Sequence, residues 1–206
     1  ERAARAGRIQ KLKGFGPKSA TNIARSAEFY RHASGRRFLG EVLPLSQKLE
    51  AALLQVPGVV RAVTAGSVRR LQETIGDIDI LVTTSEPEAV MKAFTKFDEV
   101  AAVLEHGPTK TTVRLRNGMN ADVRVIPDKS FGAALQYFTG DKNHNVLVRK
   151  IAIDKGLKLN EYGLWRGRKL LALRTEEEIY KRLGLPYFEP EIRTASGEIE
   201  AARAGK

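Results

Sequence analysis

The sequence predicts an α+β fold: a mixed β-sheet carrying helices, flanked by a helical N-terminal segment and a small α/β C-terminal unit. Three observations predict it. Alternating apolar and polar residues near 59–65, 77–84, 110–117 and 120–126 have the period of half-buried strands. Apolar residues at helical spacing occupy 18–33 and 42–55. From Lys129 onward the pattern is mainly helical, broken at 158–165 by what reads as a small hairpin. With 206 residues, 42% of them apolar, the chain can bury a sizeable core, divided among two or three small subdomains.

The elements follow in order. Residues 1–40 hold ten Lys or Arg against two Glu, so most of the formal charge of +11 lies there. Such an arm supplies salt-dependent affinity for nucleic acid, or is simply a solvated helix surface. Within it, Leu12-Lys13-Gly14-Phe15-Gly16-Pro17-Lys18 has the form of a helix-hairpin-helix turn. Gly14 and Gly16 leave backbone N–H groups open and, with Lys18 at the next helix start, can grip a DNA phosphate without reading bases. After strand 77–84, Ser85 is the expected cap of a helix whose first turn suits Pro87. Asn117-Gly118 predicts a tight turn between 110–117 and 120–126. Thr175-Glu176-Glu177-Glu178 opens a helix with capping-box spacing, and its acidic trio is expected to serve that helix start. Residues 185–190 read as extended, and the Ala-rich charged tail is expected to be disordered.

The chemistry concentrates in Gly66-Ser67-Val68-Arg69-Arg70 and, six residues later, Gly76-Asp77-Ile78-Asp79. Alternate strand residues share a face, so Asp77 and Asp79 point together while Ile78 and Ile80 are buried. Adjacent carboxylates repel unless cations hold them, and magnesium or manganese suits oxygen ligands and phosphates. Gly66 lets the backbone approach an anion, Ser67 adds a donor, and Arg69 or Arg70 can neutralise a triphosphate. The combination reads as a nucleotidyl transfer site. A two-metal site calls for a third carboxylate, and Asp122 fits, with Asn120 and Arg124 on its face and Ala121, Val123 and Val125 toward the core. Arg124 has two open roles, an ordinary cross-strand ion pair or the orientation of Asp122. Tyr137 and Phe138 are either core packing or a substrate wall. His144 is expected to contact substrate, the alternative being a helix start.

Gly-Ser-x-Arg-Arg, then Gly-Asp-x-Asp, a distant strand Asp, Tyr137-Phe138-Thr139-Gly140 and Asn160-Glu161-Tyr162-Gly163 together resemble the X family of DNA polymerases, over about residues 8 to 195. Asp141-Lys142-Asn143-His144 is similar to its bacterial branch. The resemblance implies a nucleotidyltransferase-type palm over 46–128, a partial fingers segment with the helix-hairpin-helix over 1–45, and a thumb and tail over 129–206. It implies that Asp77, Asp79 and Asp122 are catalytic and bind two Mg2+ or Mn2+ ions, with Asp122 nearest the primer 3′ hydroxyl. Gly66, Ser67, Arg70 and Gly76 would meet the triphosphate; Tyr137, Phe138 and Gly140 the sugar; Asn145 the base; and Arg149 the template strand. It further implies a polymerase core without the lyase-like region and the C-terminal phosphoesterase domain of longer relatives. The implied activity is addition of deoxynucleotides to a primer end in gap-filling repair, by a monomer whose partners are gapped primer-template DNA and deoxynucleoside triphosphates.

Composition narrows the classes. No apolar stretch approaches the twenty residues of a membrane helix, and Glu1-Arg2-Ala3-Ala4-Arg5 lacks the apolar region of a secretory signal. The absence of cysteine excludes disulfides and thiolate chemistry and agrees with a cytoplasmic location. Other readings stay open: a tRNA-end-adding, small-molecule or template-independent nucleotidyltransferase, or a DNA-binding module without activity.

Overall fold

The computed structural model describes residues 2–32, 36–172 and 174–205. Helix α1 (Arg2–Arg5) precedes the hairpin turn, and α2 (Pro17–His32) follows it. The helix expected to reach Ala33 is thus described as far as His32, and Ala33 lies outside the described residues. Next come β1 (Arg37–Phe38), α3 (Leu39–Leu54), β2 (Val59–Thr64), α4 (Gly66–Arg69), β3 (Thr74–Ile75), β4 (Asp77–Thr84) and α5 (Pro87–Phe94). Strands β5 (Val100–His106), β6 (Lys110–Leu115) and β7 (Asn120–Val125) lead to α6 (Phe131–Thr139) and α7 (Lys142–Asp154). The chain ends with β8 (Lys158–Asn160), β9 (Gly163–Arg166), β10 (Lys169–Ala172), α8 (Glu176–Arg182) and α9 (Glu198–Arg203).

The central sheet has the order β2-β4-β7-β6-β5, with β4 and β7 parallel and the other pairs antiparallel. Period-two alternation sorts its faces. Ile78, Ile80 and Val82 of β4 and Ala121, Val123 and Val125 of β7 pack with Val42, Leu49 and Leu53 of α3 and Val90, Met91 and Phe94 of α5. Helix α3 therefore spans residue 45 and belongs to this core along its length. On the opposite face, Leu81 meets Ala65, Ile126, Phe131 and Ala134, so α6 covers one end of β4. Asp77 and Asp79 share Leu81's face, where that cover ends. The C-terminal unit has its own core, built from Val148 and Ala152 of α7, Leu159, Leu164, Ile179, Tyr180 and Ile199.

Several expectations need correction. The Gly66–Arg69 loop is a one-turn helix. Ser85 does not cap α5: Glu86 occupies that position, and its N–H donates to Thr84 Oγ1 at 2.9 Å. Strand β5 was not legible because two register shifts against β6 break its alternation. The predicted hairpin at 158–165 gains a third strand, β10. The tail is helical over Glu198–Arg203, since Ile199 is buried in the C-terminal core. Among the described residues no helix is long and apolar enough to cross a membrane.

Candidate active site

A cavity of about 410 Å³ opens between the exposed end of the β4 face and helices α6 and α7. From the central sheet it is lined by Gly66, Ser67, Arg70, Asp77 and Asp79. From the facing unit come Tyr137, Phe138, Gly140, Asn145 and Arg149. Arg36 and Lys142 also line it, two residues the sequence reading did not single out. Arg36 is fixed through Thr74, with its Nε donating to Oγ1 at 2.8 Å. A lone Arg ahead of a two-residue strand leaves no motif by which to find it. Lys142 lay in plain view beside Tyr-Phe-Thr-Gly, and its position at the start of α7 was the available signal.

Asp122 stands directly opposite Asp79 in the parallel register of β4 and β7, and Asp77 opposite Asn120. Burial first, then the charges of Asp77 and Asp122, push the Asp79 carboxyl up to about 6 against the pull of Arg124 and Arg70. Burial and Asp122 likewise push Asp77 up, opposed by Arg36. Such carboxylates offer hard oxygen donors and gain from a cation, so the donor set fits a divalent ion. As they stand, no three Asp, Glu or His groups among the described residues are gathered tightly enough to enclose one. Asp122 instead leans toward Lys110 Nζ at 3.6 Å and Arg124 at 3.9 Å. Those are long contacts, which a change of rotamer would release.

Two glycines make the close packing possible. Gly66 has φ +60°, and a Cβ there would fall 2.5 Å from Asp79 Oδ2, so the glycine makes room for the carboxylate as well as turning the chain. Gly140 has φ +72°, and a Cβ would sit 2.9 Å from the Arg70 guanidinium, which donates to the Thr139 carbonyl. The paired arginines thereby divide. Arg70 lines the cavity, whereas Arg69 turns away to Thr139 Oγ1 at 2.7 Å and to both oxygens of Glu176 at 3.0 and 2.6 Å. Glu176 is buried and takes a second guanidinium, that of Arg193, at 2.6 Å. The expectation that the acidic trio serves the helix start holds for Glu178, which closes a capping arrangement with Thr175 and Arg174, and fails for Glu176. Glu176 ties the two units together.

The remaining site residues fall as follows. Arg124 lies over the Phe138 ring at 4.9 Å, with its Nε buried and unpartnered, and so links that ring to Asp122. Tyr137 and Phe138 pack edge to face at 5.1 Å and also line the cavity. Arg149 sits over Tyr137 at 5.9 Å. Asn145 donates to the Tyr137 carbonyl at 2.7 Å. His144 does not contact the cavity: it is fully buried between Glu198 and Tyr180, because helical spacing turns it away from the face that presents Asn145 and Arg149. Gly76, Asp122 and Arg124 lie beside the cavity without lining it. Gly14, Gly16 and Lys18 are exposed together at the turn into α2.

A mixed sheet presents paired carboxylates beside an arginine-bearing turn with a second α/β unit facing it, and the likeness to solved structures shows this to be a polymerase beta-like fold. The family model described as DNA polymerase beta thumb matches residues 134–194. The DNA polymerase/3'-5' exonuclease PolX of Bacillus subtilis is 31% identical over 197 residues, covering 94% of this chain and 35% of the relative. DNA polymerase lambda of Rattus norvegicus is 29% identical over 167 residues, covering 66% of this chain and 29% of the relative. The crystal structure of Leishmania infantum polymerase beta in a ternary P/T complex has a TM-score of 0.71 at 24% identity, covering 90% of this chain and 97% of that one. The chain belongs to the X family of DNA polymerases. It spans about a third of the length of the Bacillus subtilis and Rattus norvegicus relatives.

Proposed function

We propose that this chain is a DNA-directed DNA polymerase that adds deoxynucleotides to a primer 3′ end during gap-filling repair. The carrying observation is that Asp77 and Asp79 share one cavity with Ser67, Arg70, Tyr137 and Asn145, while Asp122 lies opposite Asp79 on the adjacent strand. The polymerase names of the relatives support the reading. In it, the residues before α3 act as a partial fingers segment, α3 through residue 128 as the palm and 129–206 as the thumb and tail.

Asp77, Asp79 and Asp122 would hold two Mg2+ or Mn2+ ions, Asp122 after turning from Lys110 and Arg124. Bound there, the ions supply charge neutralisation at the phosphates and a lowered pKa for the attacking hydroxyl. The chain's own groups do the rest. Arg70, anchored on Thr139, presents a fixed cation to the leaving phosphates, and Ser67 and the backbone at Gly66 and Gly76 add donors. Tyr137 and Phe138 form the wall against the sugar, and Asn145 faces the base. Asp122, once turned from Arg124, stands where the primer 3′ hydroxyl enters. Arg149 meets the template strand, and Gly14, Gly16 and Lys18 grip a phosphate farther along.

Primer extension on a one-nucleotide-gapped duplex, with each deoxynucleotide singly in magnesium or manganese, tests this. Templated, metal-dependent addition that disappears in Asp122→Ala, with the fold intact by circular dichroism, is the expected result. No incorporation by the unaltered chain, or near-normal extension by the variant, overturns the corresponding part of the proposal.

A further inference from the structure

We infer that Lys110 competes with the divalent ions for Asp122, and that Glu105 on the edge strand is the positioning residue that draws it off; the inference rests on the metal site proposed above. Lys110 Nζ lies between the two carboxylates, 2.7 Å from Glu105 Oε2 and 3.6 Å from Asp122 Oδ2. Sheet register brings the three groups together. Asp79 of β4 stands opposite Asp122 of β7, Asp122 opposite Thr112 of β6, and Thr112 opposite Glu105 of β5. One row therefore crosses four strands with carboxylates on all but β6. Strands lie about 4.8 Å apart, so Asp122 and Glu105 are separated by about 10 Å of sheet, a span one long side chain can serve from the middle. Lys110, two residues before Thr112 on the same face of β6, takes that place.

The two cations beside Asp122 differ in freedom. Arg124 is packed over the Phe138 ring at 4.9 Å with its Nε buried, so its planar head is held in place. Lys110 carries a compact charge on a flexible four-carbon stem and can swing from one carboxylate to the other. Its hydrogen bond to Glu105 raises the ammonium pKa against burial and the charge of Arg124, so the group stays charged. Lys110 also stands directly opposite Arg124 in the register of β6 and β7. Like charges opposed across strands destabilise a sheet, and the flanking carboxylates offset that cost. The division of Lys110 between them sets how far Asp122 is free to take another cation. With Glu105 present, the ammonium is hydrogen-bonded to the outer carboxylate and only leans on Asp122. Without it, the same stem delivers an unopposed ammonium to Asp122, and a divalent ion must displace it.

Mn2+ binding tests the inference, read from the electron paramagnetic resonance of the free ion, with the chain on a gapped duplex whose primer is dideoxy-terminated so that nothing turns over. The portion of binding lost in Asp79→Asn reports the carboxylate site. Glu105→Gln should weaken that portion about threefold and Lys110→Met should strengthen it by a similar factor, the scale of an exposed ion pair. In the Lys110→Met background Glu105→Gln should add nothing, because the carboxylate acts only through the ammonium. The Mg2+ concentration for half-maximal incorporation should move in the same order. Additive effects in the double variant would reveal a general field in place of a directed lysine, and unchanged Mn2+ binding in either single variant would reveal no competition; each overturns the inference alone. A Lys110→Met chain that loses duplex affinity without gaining Mn2+ affinity makes Lys110 a DNA contact and overturns it as well. Wild-type Mn2+ binding untouched by Asp79→Asn would overturn the proposed metal site, and this inference with it.

Discussion

Replacing Glu176 by Ala should uncouple the two units of the molecule. Its side chain is 4% exposed and lies between Arg69, 20% exposed, and Arg193, which is fully buried. The substitution removes three bonds of 2.6 to 3.0 Å and leaves two guanidinium groups facing each other without a counter-charge. Breaking a buried ion pair from one side costs about 3–5 kcal/mol, much of it the penalty of the stranded charge. For a chain of this size each kcal/mol lowers Tm by about 2–4 °C, so a fall on the order of 10 °C follows. The chain's one tryptophan, Trp165, lies in β9 of the C-terminal unit, so its fluorescence follows that unit while far-ultraviolet circular dichroism follows the whole molecule. In urea the two signals should coincide for the wild type and separate for Glu176→Ala. The pH dependence has a definite sign. Burial pushes the Glu176 carboxyl up, but the hydrogen bond from Arg69 and the charge of Arg193 outweigh it and hold the group below its ordinary 4.5. A depressed carboxyl contributes stability that is complete above pH 4.5 and is lost as pH falls through the folded value. The advantage of wild type over Glu176→Gln should therefore shrink only below about pH 4.5. A loss under about 1 kcal/mol with coincident transitions would refute the claim that Glu176 ties the units together.

Other outcomes follow from the site. Asp79 carries a raised pKa, so its ionised form weakens the metal-free fold above about pH 6; Asp79→Asn should stabilise chelator-treated protein by about 1–2 kcal/mol at pH 7. The gain should vanish as pH falls toward 3.8, and thermal melts across that range decide it. Gly66→Ala must strain φ and displace the Asp79 carboxylate, so incorporation should fall about 100-fold or more while Tm drops only a few degrees; extension rates within tenfold of wild type would contradict the contact. Ile199→Ala should cost about 2–4 kcal/mol in urea unfolding, since the residue is 2% exposed in the C-terminal core; a negligible change would return the tail to the disorder its composition suggested.

What the sequence made legible is what local periodicity and a compact motif encode. Asp77 and Asp79 declare their shared face through Ile78 and Ile80, both buried as the alternation requires, and Asp122 follows from Ala121 and Val123 by the same rule. The residues that read wrongly or not at all depend on partners far away in the chain. Arg69 and Arg70 are indistinguishable as neighbours, yet a one-turn helix sends Arg70 to the cavity and Arg69 to Glu176, 107 positions on. Glu176 looked like one of three equivalent helix-start acids because only the approach of Arg69 and Arg193 singles it out. His144 and Asn145 are adjacent, and helical geometry alone decides that one meets Glu198 and the other the cavity. The tail read as disordered because its composition is Ala and charge, while its order rests on Ile199 and on a carboxylate whose partner lies 54 positions earlier. These misreadings of the site and of the C-terminal unit fall where a charged or polar group is buried against a distant partner. Burying such a group unpaired costs several kcal/mol, so these pairings fix which unit sits where once the strands have formed. The carboxylates of Asp77 and Asp79 invert that logic. The nearby arginines only partly offset the burial and mutual repulsion that push both groups up, so the pair is legible as a local motif and would gain from a cation.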